Sequence, residues 1–305
     1  MALMDKITVT VQVEKADGTV VAKSQTVAYA SSKDHSALAL SLGVNLAFDL
    51  EAQLRFEDIF ATMPQPPDFA IQSKQIRSPQ NHQDLINAMN ADGMWMEIHN
   101  SFTAAVFELA LAKAYKNSEP PGTAKEYFYC HDQKVARLNR AIFFLYKIQD
   151  LIVRLMYESF GDSLIAVDQS KKLWEKDLTM EALKDGLKRL RKNGVLSPAD
   201  HDAIAKPIHT LRGLAAWQTV EDYRHRAVHR IMPSVDHQEL RPIFQNRIGK
   251  PVTHPLTGKP GRVYSIRVQH LKPDFTFDEI YKPALAYLKG ARAALLKLKA
   301  LPRFA

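Results

Sequence analysis

Ala141-Ile142-Phe143-Phe144-Leu145-Tyr146-Lys147-Ile148-Gln149-Asp150-Leu151-Ile152-Val153-Arg154-Leu155-Met156-Tyr157 is the most apolar run in the chain, and its reading decides the fold. A helix that crosses a bilayer needs about 20 mostly apolar residues in a row. Here Lys147, Gln149, Asp150 and Arg154 interrupt the run. With Leu138 in front, Ile142, Leu145, Ile148, Leu151, Ile152 and Leu155 recur at the three-and-four spacing of one helix face. The run therefore reads as part of an amphipathic helix over 123–160 that turns its apolar side to a core.

Working outward, Glu119-Pro120-Pro121-Gly122 breaks the chain ahead of that helix, and a further helical pattern covers 84–116. Residues 36–63 are rich in Ala and Leu without proline, which predicts a helix. Leu38, Leu40, Leu42, Val44, Leu46, Phe48 and Leu50 also alternate, so the first half fits a strand as well. Pro64, Pro66, Pro67 and Pro79 mark 64–83 as loop. Downstream, a short basic helix over 179–192 stops at Asn193-Gly194. Ser197-Pro198 then starts a helical segment as cap and first residue. That segment runs to about 232, with a break expected near Pro207 and an end at Pro233. A last helix covers 277–300.

Two stretches differ. Ile7, Val9, Val11 and Val13 alternate with polar residues, Ala16-Asp17-Gly18 turns the chain, and residues 19–27 return, which predicts a β-hairpin. Val252-Thr253, the turn-rich residues 254–261 and Val263 to Val268 predict a second hairpin. The expected architecture is mainly α: a helical bundle over 34–305 with an N-terminal β-hairpin (1–33) and a β-hairpin insertion at about 234–275 before the last helix.

An apolar share of 46% with 24% charged residues is ordinary for a globular chain and excludes a disordered one. The single cysteine, Cys130, rules out an internal disulfide and a thiolate metal cluster, as expected in a reducing cytoplasm. Residues 1–10 alternate and lack the apolar core of a secretion signal. The expectation is a soluble, cytoplasmic protein with no membrane contact. The net charge of +8 suits an anionic partner. Its excess is local: residues 234–272 carry seven Arg and Lys against Asp236 and Glu239, and Lys289, Arg292, Lys297 and Lys299 follow. Such a stretch is a phosphate-facing surface or the solvated side of helices.

The segment with chemical content is Tyr223-Arg224-His225-Arg226-Ala227-Val228-His229-Arg230. On a helical projection Trp217, Val220, Ala227, Val228 and Ile231 share a stripe, with Arg224 near its middle. A guanidinium there must meet a carboxylate, backbone carbonyls, an interface or a bound anion. Glu221, His225 and His229 follow one another at i, i+4 on another side, and Asp222 faces Arg226 as a surface pair. A histidine that exchanges protons near neutrality beside a fixed cation suits RNA cleavage by 2′-hydroxyl attack, without a metal.

Arg224-His225-Arg226-Ala227-Val228-His229 resembles the Arg-x(4–6)-His motif of HEPN domains, in which the residue after Arg is often Asn, Asp or His. The resemblance implies a helical bundle that pairs as a homodimer and joins two motifs in one cleft. It further implies a metal-independent, cofactor-free endoribonuclease, with RNA as substrate and an antitoxin or other protein as a further partner. Arg224, His225 and His229 are then the catalytic residues. Arg226, Arg230, Lys259 and Arg262 are the candidates for binding RNA phosphates. Arg77…His82, Arg230…His237 and Arg247…His254 have comparable spacing, but only the 224–229 copy has a helical context and a polar residue after Arg. On an ideal helix Arg224 and His229 point ~140° apart, so Arg224 must reach around or the helix must break.

Three other constellations carry less. His225 and His229 at i, i+4 fit a metal site completed by His99 or His209, although Arg226 and Arg230 oppose a divalent cation. A zinc-protease motif would need Glu where Arg226 stands. Gly258-Lys259-Pro260-Gly261 lacks the spacing and the hydroxyl of a phosphate loop. Cys130-His131-Asp132 are adjacent in a helix, which points the three side chains apart. Trp95, Trp174 and Trp217 read as core or interface residues. The alternative to catalysis is a HEPN-like module that binds RNA, a nucleotide or a protein.

Overall fold

The computed structural model describes residues 4–14, 19–30, 35–67, 82–120, 125–160, 179–229, 233–236, 239–244, 250–253, 260–263, 266–271 and 273–301. They form β1 (Met4–Glu14), β2 (Val20–Ala30), α1 (His35–Thr62), α2 (His82–Asn117), α3 (Lys125–Phe160), α4 (Met180–Lys192) and α5 (Pro198–Arg212). These are followed by α6 (Ala215–His229), β3 (Glu239–Phe244), β4 (Lys250–Thr253), β5 (Pro260–Val263), β6 (Ile266–Leu271) and α7 (Phe277–Lys299). The protein is mainly helical. No helix among the described residues is long and apolar enough to cross a membrane.

The apolar run of the opening lies in α3, which pairs antiparallel with α2. Each has 36 residues, which makes them about 54 Å long. Asn90 bonds Glu158, Lys147 meets Glu97, and Arg137 meets Glu108, so the contacts step from the open end of the hairpin to its closed end. Ile98, Phe102, Ala105 and Leu109 of α2 are buried against Leu138, Leu145, Ile148, Ile152 and Leu155 of α3. Ile280, Tyr287, Leu288, Ala291 and Leu295 bring α7 into the same core, and Trp217, Val220 and Tyr223 bring α6. Each leucine, isoleucine, valine or phenylalanine among them contributes about 1.5–3 kcal/mol of burial.

The first half of α1 is helical, so the alternating leucines do not form a strand. Leu46 and Leu50 are buried, whereas Leu40 is 70% exposed, as one-sided helical packing requires. Asp49 ties α1 down by accepting hydrogen bonds of 2.7 Å from both Tyr115 and Tyr129. The N-terminal hairpin pairs β1 with β2 in the register Ile7↔Val27 and Val9↔Gln25. It rests on α1, with Val9 packed beside Gly43. Thr8–Thr26 and Thr10–Ser24 hydroxyl bonds cover its exposed face.

The break expected near Pro207 falls elsewhere. Pro207 lies inside α5, flanked by buried Ile204, Ala205, Ile208 and Leu211, whose packing outlasts one missing backbone bond. The chain instead turns at Gly213-Leu214, where a Cβ at 213 would sit 3.2 Å from the His209 carbonyl oxygen. Leu214 seats on Gly290 of α7, where a Cβ would come within 2.5 Å of its Cδ1. That seat sets where α6 begins. The expected caps are present: Ser197 accepts from Asp200 N with Pro198 behind it, and Gly194 has φ +70°.

Between α6 and α7 the expected single hairpin is replaced by two antiparallel two-stranded sheets, β3·β6 and β4·β5. Val263 ends β5 and Ile266 begins β6, and residues 264–265 lie outside the described residues. The ends of this insertion are clamped. Ser234 and Asp274 exchange side-chain and backbone bonds, Phe275 N donates to Ser234 O at 3.1 Å, and Asp236 N donates to Phe275 O at 2.9 Å.

Asp236 is the keystone. Its Oδ1 caps α7 by accepting from Phe277 N at 2.8 Å, and its Oδ2 takes Lys134 Nζ at 2.5 Å and Lys116 Nζ at 3.3 Å. Lys134, wholly buried, also meets Glu119 at 2.5 Å. Reaching these partners puts Asp236 at φ 59°, a left-handed conformation that aspartate tolerates better than most residues. Desolvation alone would raise its pKa, but the Lys134 and Phe277 hydrogen bonds and both lysine charges hold the carboxyl below the usual range.

A depressed folded-state pKa means stability that is present at neutral pH and is lost as pH falls through the folded value. Asp236→Asn keeps the backbone preference and removes the charge. Its expected cost is about 2 kcal/mol at neutral pH. In urea titrations the gap to wild type should shrink below the ordinary aspartate pKa of about 4; a gap independent of pH would contradict the lock.

Candidate functional site

Helix α6 presents the motif along three directions. Trp217, Val220 and Tyr223 form its buried stripe, and Tyr223 donates to Asn139 Oδ1 at 2.7 Å. This corrects the projection: Tyr223 belongs to the core, whereas Val228 is 59% exposed. Ile231 lies outside the described residues.

Arg224 sits at the edge of that stripe, half-buried, with its guanidinium carbon 3.7 Å from the centre of the Tyr146 ring. Tyr146 packs on Trp217 at 5.0 Å, and Trp217 on Tyr287 at 4.8 Å, whose hydroxyl donates to Gln149. The cation thus rests on a three-ring stack that reaches from α3 through α6 to α7. One turn along α3 from Tyr146, Asp150 keeps access to solvent. The packed helices still desolvate its carboxyl enough to raise its pKa, against the pull of Arg224 and Arg154. Among the described residues none accepts a hydrogen bond from Arg224. Stacking occupies the face of a guanidinium and leaves its in-plane donors for another acceptor.

Arg226 points elsewhere. It pairs with Asp222 at 3.2 Å, as expected from the sequence, and lies 5.2 Å over Phe275 at the neck of the insertion. Phe275 also packs edge-on against Tyr223 at 5.6 Å, so the motif and the neck share one ring. His225 is exposed. His229 is the last residue of α6, and its side chain, with Arg230, lies outside the described residues. Arg262 stands in β5 opposite Pro251, and Lys259 also lies outside the description. The structure therefore separates Arg224 and Arg226, one toward α3 and one toward the insertion.

Tyr146, Asp150 and Arg154 escape the sequence reading as site residues. Their signal was present nonetheless: they recur at i, i+4, i+8, and Asp150 and Arg154 are among the polar interruptions of the apolar run.

Trp217 and Trp95 are core residues; Trp174 lies outside the described residues. Cys130 is wholly buried, and desolvation pushes its thiol up to about 12, the opposite of an activated nucleophile. No group of three His, Cys, Asp or Glu side chains suited to a metal forms among the described residues. A hollow of about 380 Å³ between α2 and α3, lined by His99, Thr103, Phe107, Glu108 and Phe144, lies apart from Arg224.

No protein-family model, curated protein or solved structure matches this chain.

The stack has a measurable coupling. A double-mutant cycle with Tyr146→Leu and Arg224→Gln, read by urea unfolding, should give an interaction of about 0.5–1 kcal/mol. Strictly additive losses would mean that the ring does not hold the cation.

Proposed function

We propose that this chain is a metal-independent endoribonuclease of HEPN-like design that works as a homodimer. The observation that carries the reading is Arg224: a fixed cation, anchored by its face on Tyr146, whose donors no described residue takes up. That is the state expected of an arginine kept for a phosphate.

In the proposed reaction His229 acts as general base and acid, one histidine for each task across the two-fold cleft. A base removes the proton of a 2′-hydroxyl, and the oxygen attacks the adjacent phosphorus. Arg224 balances the charge that develops on the phosphorane-like oxygens. The bond to the 5′-oxygen breaks as an acid protonates that leaving oxygen. The products are a 2′,3′-cyclic phosphate and a 5′-hydroxyl end. His225 assists from one turn away, while Arg226 and Arg230 approach flanking phosphates.

A second reading, a HEPN-like module that binds RNA without cutting it, needs the Arg224 cation on its Tyr146 seat but not the histidines. Cleavage separates the two. RNA incubated with the protein in EDTA should yield fragments with cyclic-phosphate ends. His229→Ala should abolish them, and Arg224→Ala should slow the reaction by about 100-fold or more. Undiminished cutting by folded His229→Ala would sink the assignment; salt-sensitive binding without fragments would select the second reading.

A further inference from the structure

Six Arg and Lys stand against Glu239 alone within residues 239–271, in a chain whose whole net charge is +8. These residues hold the two strand pairs, β4·β5 nested inside β3·β6. The register puts Arg241 opposite Gln269 and Arg267 opposite Ile243, two rungs apart on the β3·β6 ladder. Lys250 and Arg262 occupy adjoining rungs of β4·β5. No helix makes an extended contact with either pair among the described residues.

Two features choose among polyanion and protein partners. Pro242, Pro251 and Pro260 stand within β3, β4 and β5. Each lacks the N–H that a further strand would need, so three of the four strands, all but β6, are poorly suited to pairing with another chain. The mounting, in contrast, is fixed: the Ser234–Asp274 clamp and the Asp236–Lys134 lock tie the root to the bundle core. Phe275 at that root lies under Arg226.

We propose that the nested pairs β3·β6 and β4·β5 are an arm that grips the phosphate backbone of single-stranded RNA, separate from the α6 motif. The choice of RNA rests on the endoribonuclease reading; the polyanion-binding role of the arm does not. Arg241, Lys250, Arg262 and Arg267 would supply its cations.

The test is fluorescence anisotropy with a labelled, mixed-sequence single-stranded RNA, using the full-length chain. Arg241→Gln/Lys250→Gln/Arg262→Gln/Arg267→Gln should weaken binding by about tenfold or more and flatten its salt dependence. Arg241→Gln/Arg267→Gln and Lys250→Gln/Arg262→Gln, each perturbing one strand pair, should give intermediate losses and stand in should the fourfold variant not fold. Arg241→Lys/Arg262→Lys/Arg267→Lys keeps the charge and should bind within about twofold of wild type. Anisotropy reads binding and the cyclic-phosphate ends read cleavage, so a failure of the catalytic reading leaves this result intact. Wild-type affinity in the folded Gln variants would overturn the arm, and equal affinity for DNA of the same sequence would overturn the choice of RNA.

Discussion

Lys134 has no contact with water, and a buried ammonium is tolerable only with opposite charge at hand. Its two carboxylates come from distant parts of the chain: Glu119 from the turn between α2 and α3, and Asp236 from the root of the insertion. Because each group would be costly without the others, the turn, the long hairpin, the neck and the start of α7 are held to one arrangement. Asp236 serves two of these at once by capping α7 while it pairs with Lys134. Its left-handed backbone is the concession that lets one side chain reach both.

The placement of the candidate site follows from that arrangement. Once α3 and α7 are locked, Tyr146 and Tyr287 are positioned to receive Trp217, and the Gly290 seat for Leu214 fixes the start of α6. Arg224 then lands on Tyr146 and Arg226 on Phe275. An ordinary amphipathic helix would have buried an apolar residue at 224. This one keeps a cation at the boundary of the core, where a stack of rings restrains it without neutralising it. Such a position gives a charge a defined direction, which is what binding a phosphate requires.

Helices were legible where a long periodic pattern met a clear boundary: the apolar face of α3, the Ser197-Pro198 start of α5 and the Asn193-Gly194 stop of α4 depend on near neighbours alone. Pro207 misled because a local rule about proline yields to the buried residues on either side of it. The true corner, Gly213-Leu214, depends on α7, about seventy-five residues away, and no nearby residue announces it. The same holds at the site. Arg224 could be singled out as a cation on an apolar stripe, but Tyr146 as its support is a tertiary fact. Asp236 looked like one of two acids in a basic stretch, and only the fold gives it Lys134 as partner.

The neck also constrains how the chain reaches its native state. The Asp236–Lys134 contact spans 102 residues, and the Lys116–Asp236 contact spans 120. Closing such separations costs more entropy than closing the α2–α3 hairpin, whose contacts span 29 to 68 residues, so the hairpin is expected to form first. During synthesis that hairpin is complete well before residue 236 emerges. The root of the insertion is therefore expected to dock late, onto a charge that the bundle already presents.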